Sequence, residues 1–313
     1  MRSKSSIAGN LTGNLTGNLM DTPRQDVALY QGYSAAELDR QYNARATVPD
    51  ATIYLRAYAE QSATMRAALP CHCGVAYGEH QDEQLDIFPA PHPGSPVLVY
   101  IHGGYWRALS KNDSSFMAAT FTAAGATVVA VNYSLAPGVT LDHIVDQNRH
   151  ALAWVHRHIA QYNGDAARIY LCGSSAGGHL VGMLLAPGWQ HAYDLPDRAA
   201  AGACPISGLM DLAPIPATHI NEWAKLDAAA ARRLSPIHHL PEQGGHLLAV
   251  VGAAETAEFR RQSRSYADAW RAKGLQADYM EIAATNHFDV VLELAKGDSL
   301  LTQALLRMMG LAG

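Results

Sequence analysis

The strongest constraint on the fold is a rhythm. Short apolar runs of strand length alternate with segments of helical period through most of the chain. Val97–Ile101, Thr127–Asn132, Arg168–Cys172, Gly202–Ile206, Leu247–Val251 and Ala277–Ile282 are the strand candidates, rich in β-branched and small side chains. Leu141–Tyr162 and Glu258–Lys273 read as amphipathic helices, and the chain closes with a helix from about Phe288 to Met309. Runs that are apolar on both faces need cover on both faces, so the pattern predicts a mostly parallel central sheet with helices on each side. Leu85–Phe88 and Val97–Ile101, joined by the Pro- and Gly-rich Pro89–Pro96 segment, predict an antiparallel hairpin at one edge. Residues 35–69 are helical with an interruption at Pro49-Asp50. Residues 207–245 break the rhythm with prolines, Trp223 and an alanine helix near Leu226–Leu234, and are expected to form a small helical cap over the strand ends.

Composition narrows the function. Charged residues make up 16% of the 313, below the roughly 25% usual for soluble domains. Their net balance is −5, with no long block of one sign. No basic stripe is legible, so nucleic acid is not an expected partner. No apolar run approaches the length of a membrane span. Four cysteines are too few for a disulfide framework, and the start of the chain lacks the apolar core of a secretory signal. The expectation is a soluble, cytoplasmic enzyme. Residues 1–20, with the repeat GNLTGNLTGNL, are expected to be disordered, Met20 to be the biological start, and residues 21–313 to form one domain.

The sharpest chemical signal is Gly173-Ser174-Ser175-Ala176-Gly177, directly after the strand RIYLC and opening the helical run His179–Leu185. A G-x-S-x-G between strand and helix places the central serine on a tight, strained turn above the sheet. The second signal, His102-Gly103-Gly104-Tyr105-Trp106, follows the strand VLVYI. Small residues there let backbone N–H groups approach a substrate oxygen. The amides of Gly103, Gly104 and Ala176 are therefore the candidate oxyanion hole. His102 is expected to brace that loop.

A serine nucleophile needs a base. Of fifteen histidines, His287 stands just past the last strand at the mouth of the last helix, where the order Ser…acid…His puts it. Glu255 follows the strand LLAVV and a Gly252-Ala253-Ala254 turn and is the candidate acid; Asp211, after the preceding strand, is the alternative. Glu258 opens a helix, where a carboxylate favours the dipole. Tyr105, Trp106, Tyr133 and Trp223 are candidates for an aromatic pocket around the leaving group. Cys71-His72-Cys73 lacks a second half for a zinc site and reads as a connector, and no dinucleotide fingerprint follows a strand.

These residues together resemble an α/β-hydrolase, and within that superfamily the kynurenine formamidase (arylformamidase) and esterase group. The resemblance runs from about Tyr30 to Leu294. It is carried by YIHGGYW at Tyr100–Trp106 with Leu109-Ser110-Lys111, NYSLAP at Asn132–Pro137, LCGSSAGGHL at Leu171–Leu180 and SGLMDL at Ser207–Leu212. Ser235-Pro236, EFRRQS at Glu258–Ser263 and His287-Phe288 extend it. It implies an α/β-hydrolase fold and Ser175 as nucleophile with His287 as base. The acid place falls to Glu255, where family members with formamidase activity carry Asp. The substrate implied is a small acyl or formyl compound such as N-formyl-L-kynurenine of tryptophan breakdown, with a carboxylic ester, or another amide or carbamate, as the alternative. No metal or organic cofactor is implied. A homodimer is the commonest assembly for such a chain.

Overall fold

The computed structural model describes residues 29–311; the low-complexity segment and Met20 lie outside them. The helices α1 (Ala35–Tyr42) and α2 (Thr52–Ala68) precede the strands β1 (His72–Ala76), β2 (Gln84–Phe88) and β3 (Ser95–Ile101). Then follow α3 (Ala118–Ala123), β4 (Thr127–Val131), α4 (Leu141–His158), β5 (Gly164–Ser174), α5 (Ala176–Leu185) and β6 (Gly202–Ile206). The short helices α6 (Asn221–Ala224) and α7 (Ala228–Arg233) occupy the insertion, before β7 (His246–Gly252), α8 (Ala257–Ala272) and β8 (Ala277–Ile282). The last helices are α9 (Asp289–Leu292) and α10 (Leu300–Met309).

The strands make one sheet in the order β1-β2-β4-β3-β5-β6-β7-β8. From β4 to β8 all pairings are parallel; β2 runs antiparallel to both β1 and β4. Alternation along β3 separates the two cores. Val97, Val99 and Ile101 pack with Leu141 and Ile144 of α4, Leu180 of α5 and Phe259 of α8. Leu98 and Tyr100 face the other layer, with Phe121 of α3 and Leu305 of α10. Every residue of β3 is buried, as a central strand covered on both faces requires. Among the described residues no helix is long and apolar enough to cross a membrane.

Two expectations fail. The β2–β3 hairpin does not exist: β4 lies between these strands, and β3 runs parallel to it. The true partner of β2 on its outer side is β1, whose mostly exposed residues show no apolar alternation to read. Cys71-His72-Cys73 thus leads into an edge strand with a register shift, where the Cys71 and Cys73 sulfurs approach to 2.9 Å. The closing helix is also not continuous. It breaks after α9 into a 3₁₀ turn at Glu293–Ala295 and restarts at the Ser299 N-cap, whose side chain accepts from the Thr302 N–H. Gly297 and that serine favour the interruption over continued helix.

Candidate active site

The C-terminal ends of β3, β5, β6, β7 and β8 open on one edge of the sheet, and the singled-out residues gather there. Between β5 and α5 the chain turns at Ser175 with φ 57° and ψ −118°. A non-glycine residue held there stores roughly 1–3 kcal/mol of strain. The two glycines of the motif are sterically required. A Cβ on Gly177 would stand 2.0 Å from the Ile101 carbonyl oxygen, and one on Gly173 2.5 Å from the Gly177 oxygen. The Ser175 N–H donates to the Ile206 oxygen at 2.8 Å, tying the turn to β6. Although Ser175 occupies the N-cap of α5, its hydroxyl does not cap the helix. The first amides of α5, Ala176 among them, therefore remain open toward the site.

The loop after β3 lies against this turn. A Cβ on Gly103 would sit 2.8 Å from the Ser174 oxygen and 3.3 Å from Ser175 Cβ. Gly104 has φ +91°, and a Cβ there would run into the Ala108 oxygen at 2.2 Å. Among the described residues neither glycine donates its N–H to a protein acceptor. His102 braces the loop as expected. Its Nδ1–H donates to the Gly103 oxygen at 3.0 Å, and its ring stacks on Tyr133 at 4.1 Å between centroids. Tyr133 in turn donates to the His102 oxygen at 2.9 Å. Burial pushes the His102 pKa down to about 4, so the ring is neutral in ordinary buffers.

On the far side of β6, Glu255 and His287 meet. Glu255 Oε2 accepts from His287 Nδ1 at 2.5 Å. Its Oε1 accepts from the Ser207 hydroxyl at 2.5 Å and the Gly252 N–H at 2.8 Å. Both oxygens of this buried carboxylate are thus satisfied, and Nδ1 is the imidazole nitrogen that they engage. The loop carrying His287 is stapled to the Glu255 turn by the Ala254 N–H, which donates to Thr285 at 2.9 Å. Phe259 and Phe288 flank the imidazole at 4.4 and 5.6 Å. Asp211 is elsewhere: it accepts from the Tyr30 hydroxyl at 2.7 Å, and its backbone is bonded to Gln262.

Two of the four aromatic candidates have another task. Trp106 is fully buried and donates to His179 Nδ1 at 3.2 Å, while His179 Nε2–H donates to the Leu234 oxygen at 2.7 Å. Tyr133 is likewise buried, against His102. Neither exposes a face to a ligand, because each side chain uses its polar atom to hold the glycine loop in place. Tyr105 and Trp223 are half-buried, 6.5 Å apart between centroids, and Trp223 Nε1–H donates to the Tyr105 oxygen at 2.9 Å. This contact brings the insertion onto the glycine loop. The N-terminal helices reach it too, since Tyr105 donates to the Tyr42 oxygen at 2.5 Å.

Sequence reasoning missed a second buried network. Glu258, taken as a helix-dipole carboxylate, forms a two-bond pair with Arg261 at 2.8 Å each and accepts from Tyr42 at 2.7 Å. Gln262 Nε2 donates to the same Tyr42 hydroxyl at 2.6 Å. The signal was present in EFRRQS, where residues one helical turn apart alternate in charge. Among the described residues no three His, Cys, Asp or Glu side chains converge as metal ligands.

Comparisons with known proteins show what the chain is similar to. The BD-FAE family model matches residues 85–197. The kynurenine formamidase of Danio rerio is 35% identical over 294 residues, which is 90% of this chain and 98% of that protein. The Mycobacterium tuberculosis esterase LipQ is 30% identical over 69% of this chain and 57% of its own length. Among solved structures, a Silicibacter protein provisionally described as a thioesterase superposes with a TM-score of 0.76 at 30% identity, covering 85% of this chain and 97% of its own. The chain is therefore a hydrolase of the α/β-hydrolase fold and belongs to the kynurenine formamidase family.

Proposed function

We propose that this hydrolase cleaves aryl formamides such as N-formyl-L-kynurenine to kynurenine and formate, with Ser175 as nucleophile, His287 as base and Glu255 as its acid. The carrying observation is the Ser207–Glu255–His287 hydrogen-bonded chain, with Ser175, held at positive φ, bonded through its N–H to Ile206, the residue before Ser207. As Ser175 Oγ bonds to the formyl carbon, His287 Nε2 takes its proton. The oxygen of the tetrahedral intermediate gathers charge against the Gly103, Gly104 and Ala176 amides. Glu255 stabilises the imidazolium that forms and keeps its Nδ1–H directed away from the reaction. His287 then delivers the proton to the aniline nitrogen as its bond to carbon breaks. A water deprotonated by His287 attacks the formyl-serine, releasing formate and restoring the hydroxyl.

An aniline leaves more readily than an alkylamine, which suits a site with this modest acid–base apparatus. The test is kcat/KM for N-formyl-L-kynurenine beside p-nitrophenyl acetate and butyrate, with Ser175→Ala as the blank. A formamide value of about 10⁴ M⁻¹s⁻¹ or more is expected. Fast ester turnover with negligible deformylation would instead favour a carboxylesterase, the second reading, which the similarity to an esterase supports. The reading carries a cytoplasmic location, in keeping with free cysteines at all four positions; fractionation of the native source tests it.

A further inference from the structure

Arg107 stands one tight turn beyond the glycine loop, its N–H donating to the Gly104 oxygen at 3.1 Å. Its guanidinium lies 4.1 Å over the Trp223 ring, and Trp223 is itself tied to Tyr105 by a hydrogen bond of 2.9 Å. The side chain is exposed, and among the described residues no carboxylate pairs with it. Three arginines of α8 are paired: Arg261 with Glu258, and Arg260 and Arg264 with Glu281.

The acid within this cluster does not neutralise Arg107. Asp39 of α1 is held by His219, whose backbone N–H donates to Oδ1 at 2.7 Å and whose Nδ1 lies 2.6 Å from the same oxygen. His219 packs edge-on to Trp223, 5.7 Å between centroids. Tyr105 stands between this group and the catalytic residues. Burial, and then the fields of Glu255 and Asp39, push its phenol well above the usual range, so it remains an uncharged wall. The result is an aromatic platform carrying an unmatched, bidentate-capable cation at the rim of the proposed oxyanion hole.

We propose that Arg107 anchors a substrate carboxylate, so that the enzyme prefers acyl compounds whose leaving group carries an anion at its far end, well removed from the scissile carbonyl. This rests on the proposed function, for which that anion is the α-carboxylate of N-formyl-L-kynurenine. Trp223 holds the guanidinium flat by stacking, which leaves its N–H edge for two parallel bonds to the carboxylate.

The experiment compares N-formyl-L-kynurenine with 2′-formamidoacetophenone, which keeps the aryl ketone and formamide but lacks the amino-acid tail. Wild type, Arg107→Ala and Arg107→Lys are assayed on both. The ratio of the two kcat/KM values is expected to fall roughly 10- to 100-fold in Arg107→Ala, through KM for the charged substrate, as for loss of a charge-assisted contact. Arg107→Lys retains charge without the planar fork and should fall between. An unchanged ratio in Arg107→Ala, or an equal loss on both substrates, overturns the inference while leaving the proposed function standing. A wild type that deformylates neither compound overturns the proposed function and this inference with it.

Discussion

Glu255, in the turn before α8, and Glu258, in the first turn of that helix, are both buried and differ in what they face. Glu258 meets Arg261, a cation at every ordinary pH, with Tyr42 as a second donor. Glu255 meets His287, whose charge can come and go within a reaction, with Ser207 and the Gly252 amide holding the remaining oxygen. Glu258 is fixed to a permanent cation of its own helix and is tied to α1 through the Tyr42 hydroxyl. A carboxylate fixed to an imidazole sets a tautomer and waits for a proton to arrive. Burial alone therefore does not tell the proposed acid from a structural carboxylate; the partner does.

The contrast can be broken from either side. Glu255→Gln keeps the shape but no longer stabilises the imidazolium, and kcat is expected to drop by about 10³–10⁴ with melting temperature nearly unchanged. A large loss of stability with activity retained would move Glu255 to the structural class. Glu258→Gln should do the opposite. Stranding the partly buried Arg261 costs about 2–4 kcal/mol, less than a fully buried pair because the arginine retains some solvent. That loss reads as a melting temperature lower by roughly 3–6 °C, with kcat within a few-fold of wild type.

A pH titration sharpens the comparison next. Burial pushes both His102 and His179 down to about 4, below the value near 6.5 of an unfolded histidine. Between these values the unfolded chain binds more protons, so stability is full above about pH 6.5 and declines as pH falls toward 4. Each ring contributes on the order of 3 kcal/mol to that decline. Chemical denaturation at pH 7 and 5 is expected to show the loss, and His179→Gln to flatten it. The smallest effect is assigned to Tyr42→Phe. It removes one donor from Glu258 while its backbone oxygen still accepts from Tyr105, for about 1–2 kcal/mol. Equilibrium unfolding measures it, and a cost as large as that of Glu258→Gln would show that Tyr42, not Arg261, carries the network.

Legibility in the sequence followed the distance over which each feature is encoded. The turn at Ser175 and the loop at Gly103-Gly104 are each written in a handful of contiguous residues whose backbone geometry admits little else. The central strands were equally plain, because a strand buried on both faces is apolar throughout. The edge strand β1 was not, since a mostly exposed, register-shifted strand carries no periodicity. Nor was the fate of Trp106 and Tyr133: an aromatic beside a glycine loop has the same letters whether it lines a pocket or braces a backbone.

Sequence by itself determined the alternation of strand and helix, the strained serine, the glycine loop, and a histidine placed after the last strand. Tertiary structure alone decided that β4 separates β2 from β3, and that Glu255 rather than Asp211 reaches His287. It also decided that Glu258 belongs to Arg261 and that Arg107 lies over Trp223 with no carboxylate partner among the described residues. The reason is physical. Local backbone sterics act between neighbours along the chain, whereas the partner of a buried charge is chosen by which distant segments the packed sheet brings within reach.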